Sequence, residues 1–186
     1  VRYYGKWMRD EANKRIGRLY PLVEVTAEMA QGRADLKPYV GQKLTVIAWL
    51  WARTVKSPNP AVNAYVPLMR SFILSNRKGD EYWVKPIVED QNVRFEVMKG
   101  KPSNGLDGTI QRGNGTCIIS GVPIPGDYIR KESYEGRMGT MLTAIVTEGA
   151  NGRNYYSPDA EHEKIAKSSF PEWKPTEEMN RNTPDL

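Results

Sequence analysis

Eight basic side chains give this sequence its clearest chemistry. Arg53, Lys56, Arg70, Arg77 and Lys78 form one group, and Arg130, Lys131 and Arg137 a second. Such residues suit phosphate oxygens, arginine through a planar fork of donors and lysine as a point charge. Each also reads as an ordinary surface or solubility charge. Asn59 and Asn76 carry amides that can reach a base edge, although asparagine beside proline or glycine equally serves a turn. Residues for covalent or metal chemistry are scarce. One cysteine, Cys117, and one histidine, His162, exclude an internal disulfide framework and leave little for a metal site or a Ser/His/Asp arrangement. The string PDAEHEK around His162 reads as an exposed helix. The pairs Glu161/Glu163 and Glu177/Glu178 read as solvated faces rather than acid–base pairs. Neither a phosphate loop G-x-x-x-x-G-K-[ST] nor a G-x-G-x-x-G opening a helix occurs, and the glycines of RGNG and GRMG read as turns.

The charge is uneven. Residues 1–88 carry 15 Lys/Arg against 7 Asp/Glu, whereas residues 89–186 carry 12 against 15, for a net +5 overall. A basic half beside a mildly acidic half suits a module that touches a polyanion on one side. No run of five like charges occurs, so scattered solvated charge accounts for the same numbers. The 186 residues suffice for one domain or two small ones with a real core. The longest apolar run, LTVIAWLWA, is far short of the ~18 residues a membrane helix requires. The single cysteine points to a reducing compartment, expected to be the cytoplasm. A start at Val1 with charged and aromatic residues behind it reads as a piece of a longer chain, with no signal peptide.

The elements that position these groups follow from periodicity. Tyr4, Met8, Ala12 and Ile16, with Trp7 and Leu19 beside them, make one helical stripe that Gly17 and Pro21 end. A connector broken by Gly32, Pro38 and Gly41 completes residues 1–43. Residues 44–156 read as a β-rich body. LTVIAWLWARTV is a buried strand, and its tryptophans on one face with Leu50 on the other predict burial on both sides. AYVPLMRSFILS is a strand candidate that Pro67 confines to an edge or bulge. EYWVKPIV and VRFEVMKG form a hairpin about Glu89–Asn92. GKPSNGLDGTIQRGNG is a loop with a short strand, and TCIISGVPIPGDYI reads as strand, turn and strand. MLTAIVTEGANGRNYYS reads as a second hairpin. Residues 157–186 open with Ser157 as N-cap and Pro158 at the first helical position of a short helix near Glu161–Lys167. An extended or docked tail follows. The fold class is α+β: an N-terminal helix, a mostly antiparallel β-rich body, a short C-terminal helix and an extended tail.

The segment LWARTVKSPNPAVNAYVPLMRSFILSNRKG resembles a stretch of the large adenine-specific DNA methylases that carry a zinc-ribbon-like insertion, some of them associated with phage defence or restriction. That stretch typically reads W-A-R-T-V-x-C-P-N-P-x-C-G, followed by Pro-Leu and Ser-Phe. Trp51, Ala52, Arg53, Thr54, Val55, Pro58, Asn59, Pro60, Pro67, Leu68, Ser71 and Phe72 fit it. IGRLYP, GDYIR, EGRMG, SPDAEHE and PEWKP extend the likeness in order along the chain. The resemblance implies a ribbon with ligands at C-x4-C and C-x2-C, which fall on Ser57, Val62, Cys117 and Ser120. Serine is a poor zinc ligand and valine none, so degenerate ribbon-like hairpins without structural zinc are expected, with Cys117 a buried apolar side chain.

The family also needs a glycine-rich S-adenosylmethionine loop and a D/N-P-P-Y tetrapeptide that stacks the flipped base. This chain has neither; LKPY at Leu36–Tyr39 is the nearest string. The resemblance therefore implies the insertion between those two motifs, with no catalytic and no cofactor-binding residue of its own and no methylation by itself. Two functions are open. In one, the eight basic residues grip DNA for the catalytic halves of the parent chain. In the other, the insertion is structural or partner-docking without nucleic-acid contact, and Trp7 or the Trp49/Trp51 pair faces those halves. Packing within the chain itself accounts for the same tryptophans.

Overall fold

Strand-forming residues dominate from Val46 onward, and they assemble into sheets whose pairs are all antiparallel. The molecule is described by a computed structural model at residues 2–102, 107–150, 152–168 and 176. The expected tail from Pro171, with PEWKP and Glu177/Glu178, lies outside these residues apart from position 176.

Helix α1 (Arg2–Ile16) leads into a 3₁₀ turn at Gly17–Leu19, and the connector contains β1 (Val23–Glu24), a 3₁₀ turn at Lys37–Tyr39 and β2 (Lys43–Leu44). The body comprises β3 (Val46–Lys56), β4 (Tyr65–Leu68), β5 (Ile73–Arg77), β6 (Asp80–Glu89), β7 (Asn92–Lys99), β8 (Ile110–Gln111), β9 (Asn114–Thr116) and β10 (Pro123–Ile124). After it come α2 (Gly126–Tyr134), β11 (Gly139–Gly149), β12 (Gly152–Tyr156) and α3 (Ala160–Ser168). The architecture is α+β, with its α and β parts in the expected order.

A four-stranded sheet ordered β12-β11-β3-β4 forms the centre. One face carries Val46, Leu142, Ile145 and Tyr156 against Val23, Val25, Ala30 and Leu36 of the connector, with Trp49 and Trp51 packed beside them. The other face carries Ala144, Val146 and Tyr155, with Ala48 and Leu50, against Phe72, just before β5, and Tyr82, Val84, Phe95 and Val97 of the sheet β5-β6-β7. The alternation of Trp49, Leu50 and Trp51 is thus two-sided burial. Within the β3–β11 pair the register slips between Leu142 and Ala144, leaving Thr143 unpaired opposite β3. It slips back between Val146 and Thr147, where Ile47 has no opposite residue. These are two bulges, one on each strand.

Several sequence expectations need correction. AYVPLMRSFILS is two strands in different sheets, with Pro67 on the edge strand β4, where its missing N–H is harmless. GDYI is not a strand but the first turn of α2. Asp127 stands in that first turn and Lys131 in the last. Gly136, at φ +67°, closes α2 with Gly136 N–H donating to Ser133 O and Arg137 N–H to Glu132 O, a Schellman arrangement. Ser157 does not cap α3: its hydroxyl accepts from the Val97 amide. Asp159 Oδ1 accepts from the His162 amide instead. His162 is buried rather than exposed, and its Nδ1 accepts from Trp49 Nε1 at 3.3 Å. Finally, α1 forms as expected, but none of its residues is buried, and its stripe is left uncovered by the described residues.

Candidate nucleic-acid interface

Arg53, Arg70 and Arg130 reach one groove from three separate elements. Arg53 projects from β3 in register with Leu68 of β4 and Thr140 of β11. Arg70 lies just beyond β4, and Arg130 lies on α2. The groove, of about 690 Å³, is floored by Trp51, Leu68, Met69, Ile110, Ile129 and Met138, with Ser71 and Ser133 at its sides. Arg53 and Arg70 are exposed and form no ion pair with the described residues. Arg130 pairs with exposed Asp127 one turn earlier, a contact easily exchanged for a phosphate at the surface.

The Arg70 segment is held by close backbone contact. Thr109 Oγ1 donates to Pro67 O at 2.5 Å and accepts from the Met69 amide at 2.9 Å. The Ile110 amide donates to Met69 O, and the Gly108 amide to Arg70 O. Gly108 permits this approach, since a Cβ there would stand 1.9 Å from Met69 O and 2.3 Å from Arg70 C. Only glycine fits without moving backbone.

The other five expected contacts are placed elsewhere. Arg137 is tied by Glu132, whose side chain is 8% exposed, and by Glu135. The Arg137 hydrogen bond holds the Glu132 carboxyl below its ordinary value. The motif EGRMG is thereby a structural lock on α2, and its Gly139 passes so near Thr54 that a Cβ would meet Oγ1 at 2.7 Å. Lys56 ends β3 and is exposed, while its carbonyl accepts from Tyr128 OH. Lys131 is exposed on α2 without an ion pair to described residues. Arg77, paired with Asp80 at 3.9 Å, and Lys78 stand at the β5–β6 turn, in the other sheet. Asn59 serves its turn, accepting from the Ala61 amide through Oδ1.

Beside this groove, Ser57, Val62, Cys117 and Ser120 come together although about sixty residues separate the two pairs. Ser57 Oγ donates to Cys117 Sγ at 3.4 Å. Val62 and Cys117 pack in one cluster with Val55, Val66 and Ile124. Two tight turns face each other here, one closed by Val62 N–H to Asn59 O, the other by Gly121 N–H to Cys117 O. Burial alone would push the Cys117 thiol up. Hydrogen bonds with the side chains of Ser120 and Ser57, and with the backbone at 120 and 119, outweigh it and hold the thiol below its ordinary value. One thiol, two hydroxyls and an isopropyl group do not make a tetrahedral zinc donor set. Among the described residues no cluster of three or more His, Cys, Asp or Glu side chains is present.

Comparison with protein-family models, curated proteins and solved structures returns no match for this chain. No helix among the described residues is long and apolar enough to cross a membrane. Trp49 and Trp51, candidates for facing a partner, are partly buried against the connector, and Trp51 also borders the groove. Tyr20 stacks on Trp49 at 5.2 Å, and Lys167 of α3 lies over the Trp51 ring at 5.6 Å. Trp7 is 58% exposed. Sequence reasoning missed the helix that brings Arg130 to the groove, although Asp127, Lys131 and Gly136 mark its two ends.

Proposed function

We propose that this chain is the insertion of an adenine-specific DNA methylase and that it holds DNA for catalytic segments lying outside it. The observation that carries the reading is the convergence of Arg53, Arg70 and Arg130 on one open groove, two of them without an acid partner among the described residues. The meeting of Ser57, Val62, Cys117 and Ser120 between facing turns supports a ribbon-like ancestry with its ligand set lost. In this reading S-adenosylmethionine chemistry belongs to the parent chain, in the cytoplasm, and this segment alone transfers no methyl group. Its arginines position the duplex through phosphates and carry no sequence information directly.

Fluorescence anisotropy of the chain with a labelled duplex across a salt series tests it. Three phosphate contacts predict a slope of log K against log salt of about −2.7. Binding that is absent at low salt refutes the grip.

A second reading, docking to a partner segment, draws on α1. Tyr3, Tyr4, Trp7, Met8 and Ile16 are all exposed on it. In that case duplex binding is absent, and α1 supplies the contact surface.

A further inference from the structure

Strand β7 is an edge of the sheet β5-β6-β7, and the ladder fixes which of its backbone groups face away from β6. Just past the two strands, Gly100 N–H donates to Glu81 O, so those residues form a bonded pair. Bonded pairs alternate from there along the register, through Lys85 with Glu96 and Ile87 with Arg94. The residues between them, Val93, Phe95 and Val97, therefore point N–H and C=O outward. At Val97 both groups are taken: the amide donates to Ser157 Oγ at 2.9 Å, and the carbonyl accepts from Arg33 at 3.3 Å. At Val93 and Phe95 neither group has a partner among the described residues.

A groove of about 430 Å³ runs along this stretch, with Val93 to Glu96 on one side and residues 157–160 and Glu163 on the other. Val93 and Phe95 share an apolar cluster with Met141, which lines the same groove. Its open charge is negative. Arg94 is taken by Glu89, and Glu163 by Lys167. Glu96 is exposed and has no ion pair among the described residues, and Asp159 across the groove has no Lys or Arg partner there.

We propose that this groove receives an extended peptide strand of about four residues, added antiparallel to β7 and reading basic, apolar, polar, apolar from its N-terminus. The residues opposite Phe95 and Val93 exchange two backbone bonds each and share their face, which demands apolar side chains toward Met141. The residue opposite Glu96 takes the solvent face beside that carboxylate, which demands a base. Ser157 on Val97 stops the added strand at one end, and the turn at Asp90 and Gln91 stops it at the other. With a wall across from it, the edge admits a single chain rather than the sheet of a second copy. The proposal does not depend on duplex binding at the arginine groove.

The test is titration of the ¹⁵N-labelled chain with the capped peptide acetyl-Lys-Val-Thr-Val-amide. Saturable shifts at the Val93 and Phe95 amides are expected, together with slower hydrogen exchange at Val93. N-methylation of both peptide valines should abolish them. Val93→Pro removes an outward donor without cutting the β6 ladder and should weaken binding about fivefold. Glu96→Lys, at an exposed position, should weaken it about threefold and strengthen binding of the Glu-Val-Thr-Val peptide by a similar factor. No saturation by about 5 mM peptide, equal binding of the N-methylated peptide, or indifference to the charge swap overturns the proposal. So does a Val93 amide as protected as that of Arg94 before any peptide is added, because the edge would then be covered by the chain itself.

Discussion

Arg53, Arg70 and Arg130 share a groove, and Arg137 shares only their charge. Replacing any of the first three by alanine should weaken duplex binding and reduce the salt slope by about 1. Arg137→Ala should leave the slope unchanged, because Glu132 and Glu135 already neutralise that guanidinium. Anisotropy on the four variants checks both halves. The basic residues are legible in the sequence, but their grouping is not. Positions 53, 70 and 130 meet only through the β3–β4 pairing and a helix that composition disguised. At Asp35 the chemistry is stability. Burial opposes its charge, yet the Arg33 and Tyr82 hydrogen bonds, with Lys99 nearby, hold its carboxyl below its ordinary 3.8. The folded value is depressed, so the contribution is complete above the unfolded value and is lost as pH falls through the folded one. Asp35→Asn, which leaves Arg33 buried without its anion, should destabilise by about 3 kcal/mol at neutral pH. The gap to the unmodified protein should narrow in urea melts below the ordinary value of 3.8.

Helix α2 shows how an element escapes periodicity. CIISGVPIPGDYI is rich in β-branched residues, while the helix that begins within it is only Gly126–Tyr134. Its capping signals outweigh that local propensity. Gly136→Ala forces a β-carbon onto a backbone at φ +67°. About 1 kcal/mol of stability should be lost, measurable by denaturant titration. Helix α1 is the reverse case, fully legible as an amphipathic stripe yet buried by nothing among the described residues. Removing residues 1–15 should shift the melting temperature by less than about 3 °C. A large drop would mean the body depends on it. The loop that aims Arg70 makes a third test. Gly108→Ala must displace the Met69–Arg70 backbone. Both thermal stability and duplex affinity should fall together, whereas Arg70→Ala lowers affinity alone.

Across the whole molecule, the α+β class and the two-faced central strand were legible because Trp49, Leu50 and Trp51 alternate without a polar face. The split of AYVPLMRSFILS between two sheets was not, since nothing local separates one interrupted strand from two. Nor was the wrapping of the connector over one face, which depends on long-range packing of Val23, Val25 and Leu36. The bulges at Thr143 and Ile47 have a consequence for inheritance. Pairing between the two long strands runs out of step by one residue and returns to step three residues later, much as a frameshift is cancelled by a nearby suppressor. Losing Thr143 or Ile47 alone would leave one end of the ladder misaligned. Losing both would restore an unbroken ladder with every core side chain on its present face, so lengths in these two strands can change safely only in pairs.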